Sequence, residues 1–324
     1  MTTLFLATTG GHLEQLVSLA ARVPPNGHDL WVTHENQQSR SLLQDRDVEF
    51  VPYVRVGNAR DVAACVPTAH RLWRRRGVTR VISTGSGIAL GYLPYLAARG
   101  VECHYIESAA RVAAPSRTGS VLQWVPGIRR YTQHAQWAGP RWRHGGSVFD
   151  SFRPDPAPRP LGDVVRVVVT VGTAAEFPFG RLIDRLAPLL PADGPLARAI
   201  GRPLEVLWQT GCTPTDHLPI TAVPFLGAEQ LTEAIGAADL VVSHAGVGSA
   251  LTALSAGLRP LLVARSAALG EAGDDHQGQL ADELEGRQLA LHRDPEELGV
   301  EDLLAALDAG VQRAATPPPF ELAT

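Results

Sequence analysis

The chain has 324 residues, more than one hydrophobic core usually organises, so two domains are expected. Its hydrophobic fraction of 45% and charged fraction of 19% fit a soluble globular protein, and a net charge of −4 argues against a general nucleic-acid binder. The cysteines, Cys65, Cys103 and Cys212, lack CxxC spacing, so neither a disulfide framework nor a zinc site is suggested and a reducing cytoplasm fits.

Short apolar runs alternate with helical patterns along the chain. "TLFLAT" (3–8) reads as a buried strand, and "HLEQLVSLAARV" (12–23) carries a helical apolar face. "HDLWVTH" (28–34) is the next strand, and "QSRSLLQDR" a short helix. Residues 59–77 read as a helix with a proline inside. "TRVISTG" (79–85) and "VECHYIES" (101–108) are strands flanking the helical "IALGYLPYLAARG". "SFRPDPAPRPLGD" (151–163) holds four prolines and reads as an extended linker. The alternation then restarts. Strands are expected at 164–172, 204–211, 220–226, 238–246 and 259–265, with helices from about 179, at 228–236, up to 256 and from about 274. The tail "ATPPPFELAT" reads as frayed. The expectation is an α/β chain with two Rossmann-like parallel-sheet domains, 1–150 and 164–324, facing across a cleft. No leader peptide and no run of about 20 apolar residues is seen.

Ligands of open α/β sheets bind beyond the carboxyl ends of the strands, and polar residues collect there. "SHAGVGSA" follows the run "DLVV" and opens a helix. Gly246 and Gly248 let the backbone approach a ligand, Ser249 adds a hydroxyl, and His244 can donate to a phosphate or sugar hydroxyl. The alternative is a glycine turn with a satisfied histidine. In "TVGTAAEFPFGRL" (170–182), Gly172 and Thr173 sit where a diphosphate would meet a backbone amide. Asp275, His276 and Gln277 begin a helix and suit either sugar hydroxyls or helix capping. The first half has matching turns: Gly10, Gly11 and His12, then Gly85, Ser86 and Gly87. Glu107 lies at a strand end, four residues before Arg111. Neither turn fits the Walker or the full GxGxxG pattern.

In order, "VTVGT…FPFGRLI", "VLWQTG", "VPFL", "ADLVVSHAGVGSALTALSAGLRPLLVAR" and "DDHQGQLADEL" resemble the donor half of GT-B glycosyltransferases of the GT28-like kind. The similarity is to the family holding the catalytic subunit of the eukaryotic enzyme that adds the second GlcNAc to dolichol diphosphate GlcNAc. "GGHLEQL", "STGSG" and "YIESAARVAAPSRTGSVL" resemble that enzyme's other, membrane-anchoring subunit. The chain therefore looks like the two fused, acceptor half first, the order also of the bacterial transferase that completes the peptidoglycan lipid precursor.

This resemblance implies metal-independent, inverting transfer of a sugar, with no cofactor and no metal ligands. A nucleotide-sugar, UDP-GlcNAc foremost, would be the donor, and a polyprenyl-diphosphate-linked sugar in envelope or exopolysaccharide synthesis the acceptor. It implies that His244, Gly246 and Ser249 cradle the diphosphate, Leu226 meets the base edge, and Gln277, with His276 beside it, reads the donor sugar. The turns at Gly10–His12 and Gly85–Gly87 would face the acceptor. Related transferases often grip the ribose with a glutamate where this chain has Thr252. That departure leaves room for a dTDP-sugar and a soluble natural-product acceptor. His12 is the first candidate for general base, or else a ligand of acceptor phosphate. Glu107 is the second candidate base or an acceptor ligand, and Arg111 an acceptor-diphosphate ligand or a surface ion pair. Arg71, Arg74, Arg75 and Arg76 around Trp73, and Trp124, Trp137 and Trp142 near further arginines, suit an anionic membrane surface or an ordinary solvated face. The expected location is the cytoplasm, peripheral on the membrane's inner face if lipid is bound. A sugar-nucleotide 2-epimerase and a noncatalytic binding subunit are the readings from other classes.

Overall fold

The computed structural model describes residues 1–55, 57–157, 159–172 and 176–323. The chain forms two compact units, residues 1–150 with 316–324, and residues 151–315.

In chain order the first unit contains β1 (Thr2–Ala7), α1 (Gly11–Ala20), β2 (His28–His34), α2 (Gln37–Leu42), β3 (Val48–Val51), α3 (Ala59–Ala64), α4 (Val66–Arg76), β4 (Val78–Gly85), α5 (Gly87–Ala97), β5 (Glu102–Ile106), α6 (Arg117–Leu122), β6 (Ile128–Thr132) and β7 (Arg143–His144). The seven strands form one parallel sheet in the order β3-β2-β1-β4-β5-β6-β7. β1 is buried along its whole length, as continuous apolar runs covered on both faces must be. Leu4, Leu6, Val81, Ile88, Tyr92 and Leu96 are among its core side chains. The single helix expected over 59–77 is two helices. Pro67 lies in the first turn of α4, where its missing N–H costs no hydrogen bond.

The second unit contains β8 (Phe152–Asp155), β9 (Val165–Thr170), α7 (Gly180–Leu186), α8 (Pro195–Ile200), β10 (Leu204–Gln209), β11 (Ala222–Val223), α9 (Ala228–Gly236), β12 (Leu240–His244), α10 (Val247–Ser255), β13 (Leu261–Val263), α11 (His276–Gly286), β14 (Leu291–His292), α12 (Val300–Leu307) and β15 (Gly310–Arg313). Six strands form a second parallel sheet, β11-β10-β9-β12-β13-β14. The strand read over 220–226 shortens to two residues. Within the stretch read as linker, β8 pairs antiparallel with β15.

The tail read as frayed is ordered against the first unit. Arg22 Nε donates to the Pro318 carbonyl at 2.7 Å, and the Phe320 N–H donates to the Arg22 carbonyl at 2.9 Å. Phe320 is buried edge-on to Tyr131, with ring centroids 5.8 Å apart.

Both sheets share one topology. The chain adds strands outward on one side of the first strand, then returns to its other side. The reversal falls between β1 and β4 in the first sheet and between β9 and β12 in the second. Such switch points leave a crevice at the strands' carboxyl ends.

Candidate active site

At the first switch point the turns after β1 and β4 touch. The Thr8 N–H donates to the Gly85 carbonyl at 3.1 Å. His12 is fixed between them. Its Nδ1 lies 2.7 Å from the Thr84 carbonyl, and the Thr84 hydroxyl donates to the His12 carbonyl at 2.7 Å. A carbonyl only accepts, so Nδ1 carries the proton and the neutral ring keeps its lone pair on Nε2. Burial pushes the His12 pKa below the ordinary histidine value. The Thr84 carbonyl opposes the shift and the Arg111 charge adds to it. Gly85 has φ +97°, and a Cβ there would lie 3.6 Å from His12 Cε1 and 3.3 Å from the Tyr105 hydroxyl. Gly87 packs on the backbone of Val54 and Arg55, and Ser86 precedes α5 without capping it. Gly10, at φ +88°, donates its N–H to Gln38 Oε1 at 2.6 Å. Gly11 opens α1.

Glu107 is brought near this turn but is fully buried. Its Oε1 accepts from the Tyr105 hydroxyl at 3.1 Å and the Ser108 N–H at 3.0 Å. Its Oε2 accepts from the Ser116 N–H at 2.9 Å and the Ser116 hydroxyl at 3.0 Å. Burial raises its pKa and these bonds oppose the rise. Four donors and no exposed surface make Glu107 a clasp for the 108–116 loop. Arg111 lies on that loop, half-buried, its N–H donating to the Ser108 carbonyl at 2.9 Å. Gln15 and Gln133, unremarked in the sequence, complete the clasp. Gln15 donates to the Gly11 carbonyl at 3.0 Å and accepts from the Ala109 N–H at 2.8 Å. Gln133 donates to Gln15 and to the Glu107 carbonyl, each at 3.0 Å.

At the second switch point His244 ends β12 and Gly246 caps α10. The His244 ring fills the space that side chains on two glycines would need. A Cβ at Gly172 (φ +77°) would lie 2.7 Å from its Cε1, and one at Gly246 would lie 2.5 Å from its Nε2. Burial first, then the Arg265 charge, lower the His244 pKa to about 4, so the ring is neutral at pH 7. The first intrahelical bond of α10 runs from Ala250 to the Gly246 carbonyl, which leaves the N–H groups of Val247, Gly248 and Ser249 without helical partners. Thr252 donates back to the Gly248 carbonyl at 3.0 Å, so its hydroxyl proton is used within the helix.

A ladder of polar groups joins the neighbouring strand ends. The Leu226 N–H donates to Gln209 Oε1 at 3.2 Å, Gln209 donates to Thr170 Oγ1 at 3.0 Å, and the Gly172 N–H approaches the same hydroxyl at 3.4 Å. The N–H of Leu226 is thus engaged. Thr173 lies outside the described residues.

Beyond β13, the 264–275 loop is held by its own polar side chains. Asp275 does not cap α11; its Oδ1 accepts from the Ala267 N–H at 2.9 Å. Gln277 Oε1 accepts from the Arg265 N–H at 3.2 Å, and His276 pairs with Asp274. Glu271 takes a bidentate pair from Arg181 at 2.9 and 2.8 Å. Arg265, which sequence reasoning missed, is buried here. The one signal that could have found it is an arginine that directly ends an apolar run.

Among the described residues no group of three or more His, Cys, Asp or Glu is arranged to hold a metal ion, and no helix is long and apolar enough to cross a membrane. In the two basic-aromatic stretches Arg71 and Arg76 pair with Glu49 and Asp47. Trp124 is 65% exposed, with the Arg141 guanidinium 4.2 Å from its ring centre.

Residues 166–319 match the model of the glycosyltransferase family 28 C-terminal domain. No curated protein matches the sequence. Among solved structures the chain is similar to MurG from Acinetobacter baumannii, at 18% identity and TM-score 0.54, over 94% of this chain and 88% of that one. It is also similar to the glycosyltransferase SnogD from Streptomyces nogalater, at 19% identity and TM-score 0.58, over 95% and 91%. The spinosyn forosaminyltransferase SpnP is similar at 16% identity and TM-score 0.55, over 95% and 90%. At these identities the structures speak for the fold alone. The fold is GT-B, and with the family match over the second unit it defines the class of protein as a glycosyltransferase.

Proposed function

We propose that the chain moves a hexose, GlcNAc or a close relative, from a nucleoside-diphosphate sugar to a polyprenyl-diphosphate-linked sugar, with inversion and without a metal. The observation that carries this reading is the α10 N-terminus at the second switch point. Three N–H groups without helical partners face the place where the leaving diphosphate gains charge, and a helix N-terminus stabilises that charge. Gly172 and Gly246 bring backbone within reach, the Leu226 carbonyl reads the base, and the buried Gln277 is the group nearest the donor sugar. Thr173 and Thr252 are assigned to diphosphate and ribose. Asp275 and His276 act through the loop they hold.

The first unit takes the acceptor through its turns at Gly10–Gly11 and Gly85–Ser86–Gly87, with Arg111 on the acceptor phosphate. His12 Nε2 removes the hydroxyl proton, and the acceptor oxygen then attacks the anomeric carbon as the diphosphate leaves. Glu107 positions the loop and takes no proton. We assign exposed Trp124, with Arg141 stacked on it, to the surface of anionic lipid at the inner face of the cell membrane. Thr252 favours a second reading, a dTDP-sugar with a soluble acceptor, because a threonine cannot accept from both hydroxyls of a ribose as a carboxylate does.

The test is release of nucleoside diphosphate from UDP-GlcNAc or a dTDP-sugar, with and without a short polyprenyl-diphosphate acceptor. Acceptor-dependent release supports transfer. An isomerised sugar from donor alone would show an epimerase instead.

A further inference from the structure

β12 lies between β9 and β13 in the second sheet. Arg265 follows β13, and its Nη2 donates to the Val171 carbonyl, beyond the end of β9, at 2.5 Å. The side chain therefore crosses the carboxyl end of β12, where Ser243 and His244 lead into the helix-opening turn. It is 5% exposed. Its Nε has no hydrogen-bond partner among the described residues, and neither does Ser243 Oγ on β12.

No carboxylate forms an ion pair with Arg265 among the described residues. Glu271 would be a partner, but Arg181 and the Ser266 N–H already occupy it. The guanidinium rests instead on a carbonyl and on the Phe179 ring, 5.6 Å from its centre. Glu271 acts on Arg265 only through space, and a buried cation whose neighbouring carboxylate is paired to another arginine is costly to a fold. Here it stands beside a helix N-terminus, which is also positive. Such a pairing repels unless an anion arrives, and two adjacent positive groups suit more than one negative charge.

We propose that Arg265 is the counter-charge for the donor's diphosphate and makes the site select nucleoside diphosphates over monophosphates. The inference rests on the donor-site reading above. Nε offers a donor to the phosphoryl group that the α10 amides do not reach, while Nη2 stays anchored on Val171. The planar guanidinium can bind a phosphoryl oxygen and the backbone carbonyl at once, which an ammonium cannot do with the same geometry.

The test is calorimetric titration of the full chain with UDP, UMP, dTDP, dTMP and inorganic pyrophosphate, in wild type and in Arg265→Met and Arg265→Lys. Wild type should bind one nucleoside diphosphate at least tenfold tighter than its monophosphate. Arg265→Met should lose tenfold or more for that diphosphate and for pyrophosphate, lose less than threefold for the monophosphate, and melt no lower than wild type without ligand. Diphosphate affinity within threefold of wild type would overturn the proposal. So would an equal loss of diphosphate and monophosphate. If Arg265→Met does not fold, Arg265→Lys carries the same comparison. Wild type that binds none of these ligands would overturn the donor-site reading, and this proposal with it.

Discussion

His12 and Thr84 hold each other through two hydrogen bonds of 2.7 Å, side chain to backbone in each direction. The first leaves Nε2 as the free basic nitrogen, and the second pins α1 to the end of β4. His12→Ala should lower turnover by about 10²–10⁴-fold, the usual worth of general-base catalysis, with donor affinity unchanged. Steady-state kinetics beside nucleotide titration separates the two effects, and unchanged turnover would remove the assignment.

The same pair sets a pH profile. The His12 pKa is depressed below 6.5, so the active neutral form persists below that pH. The acid limb of kcat/KM should therefore fall below pH 6.5. Arg111 contributes to the depression, so Arg111→Gln should move the limb toward higher pH. A limb that stays in place in this variant would place another group in control of it.

Glu107→Gln separates a clasp from a base. An amide there would turn its NH2 toward donors that now meet an oxygen. The expected loss is about 1–3 kcal/mol of stability, seen in chemical denaturation, while enzyme that remains folded keeps most of its turnover. A folded, fully stable and inactive variant would restore Glu107 as a base.

Gly172→Ala and His244 test the packing of the donor turn. The new methyl would sit 2.7 Å from the His244 ring, and nucleotide affinity should fall at least tenfold. His244→Ala in the same chain removes the clash, so the two losses should not add. Additive losses would mean that the glycine matters only for its φ.

His244 also links stability to pH. Its pKa of about 4 in the folded chain lies below its ordinary 6.5. Between those values the unfolded chain holds the proton and the folded one does not. The contribution is fully present above pH 6.5, declines as pH falls and is gone below about 4. Melting curves of wild type and His244→Gln should diverge only in that window, with the wild type losing more on acidification.

Much of this was legible in the sequence. The alternation of apolar runs gave both parallel sheets, and the glycine-histidine turns mark the two switch points. What escaped was long-range. β8 exists because residues 310–313 pair with it, and no local pattern in a proline-rich stretch shows that. The tail reads as frayed because its order comes from Arg22, almost 300 residues away. Arg265 was hidden by composition, since every basic residue of the chain is arginine and most are solvated. Glu107 looked catalytic because a strand-end carboxylate is a common place for a base. The Tyr105, Ser108 and Ser116 donors that hold it come from side chains and loop backbone that no local pattern shows.

The most direct measurement is the melting temperature of the full chain with UDP, dTDP, GDP and UDP-GlcNAc. A ligand of the folded state at a hundred times its Kd stabilises by about 2.7 kcal/mol. The melting temperature should rise with UDP or dTDP, rise further or equally with the matching sugar nucleotide, and lose both rises in Gly246→Ala, whose methyl would strike His244. A melting temperature unmoved by every nucleotide would contradict the donor-site reading.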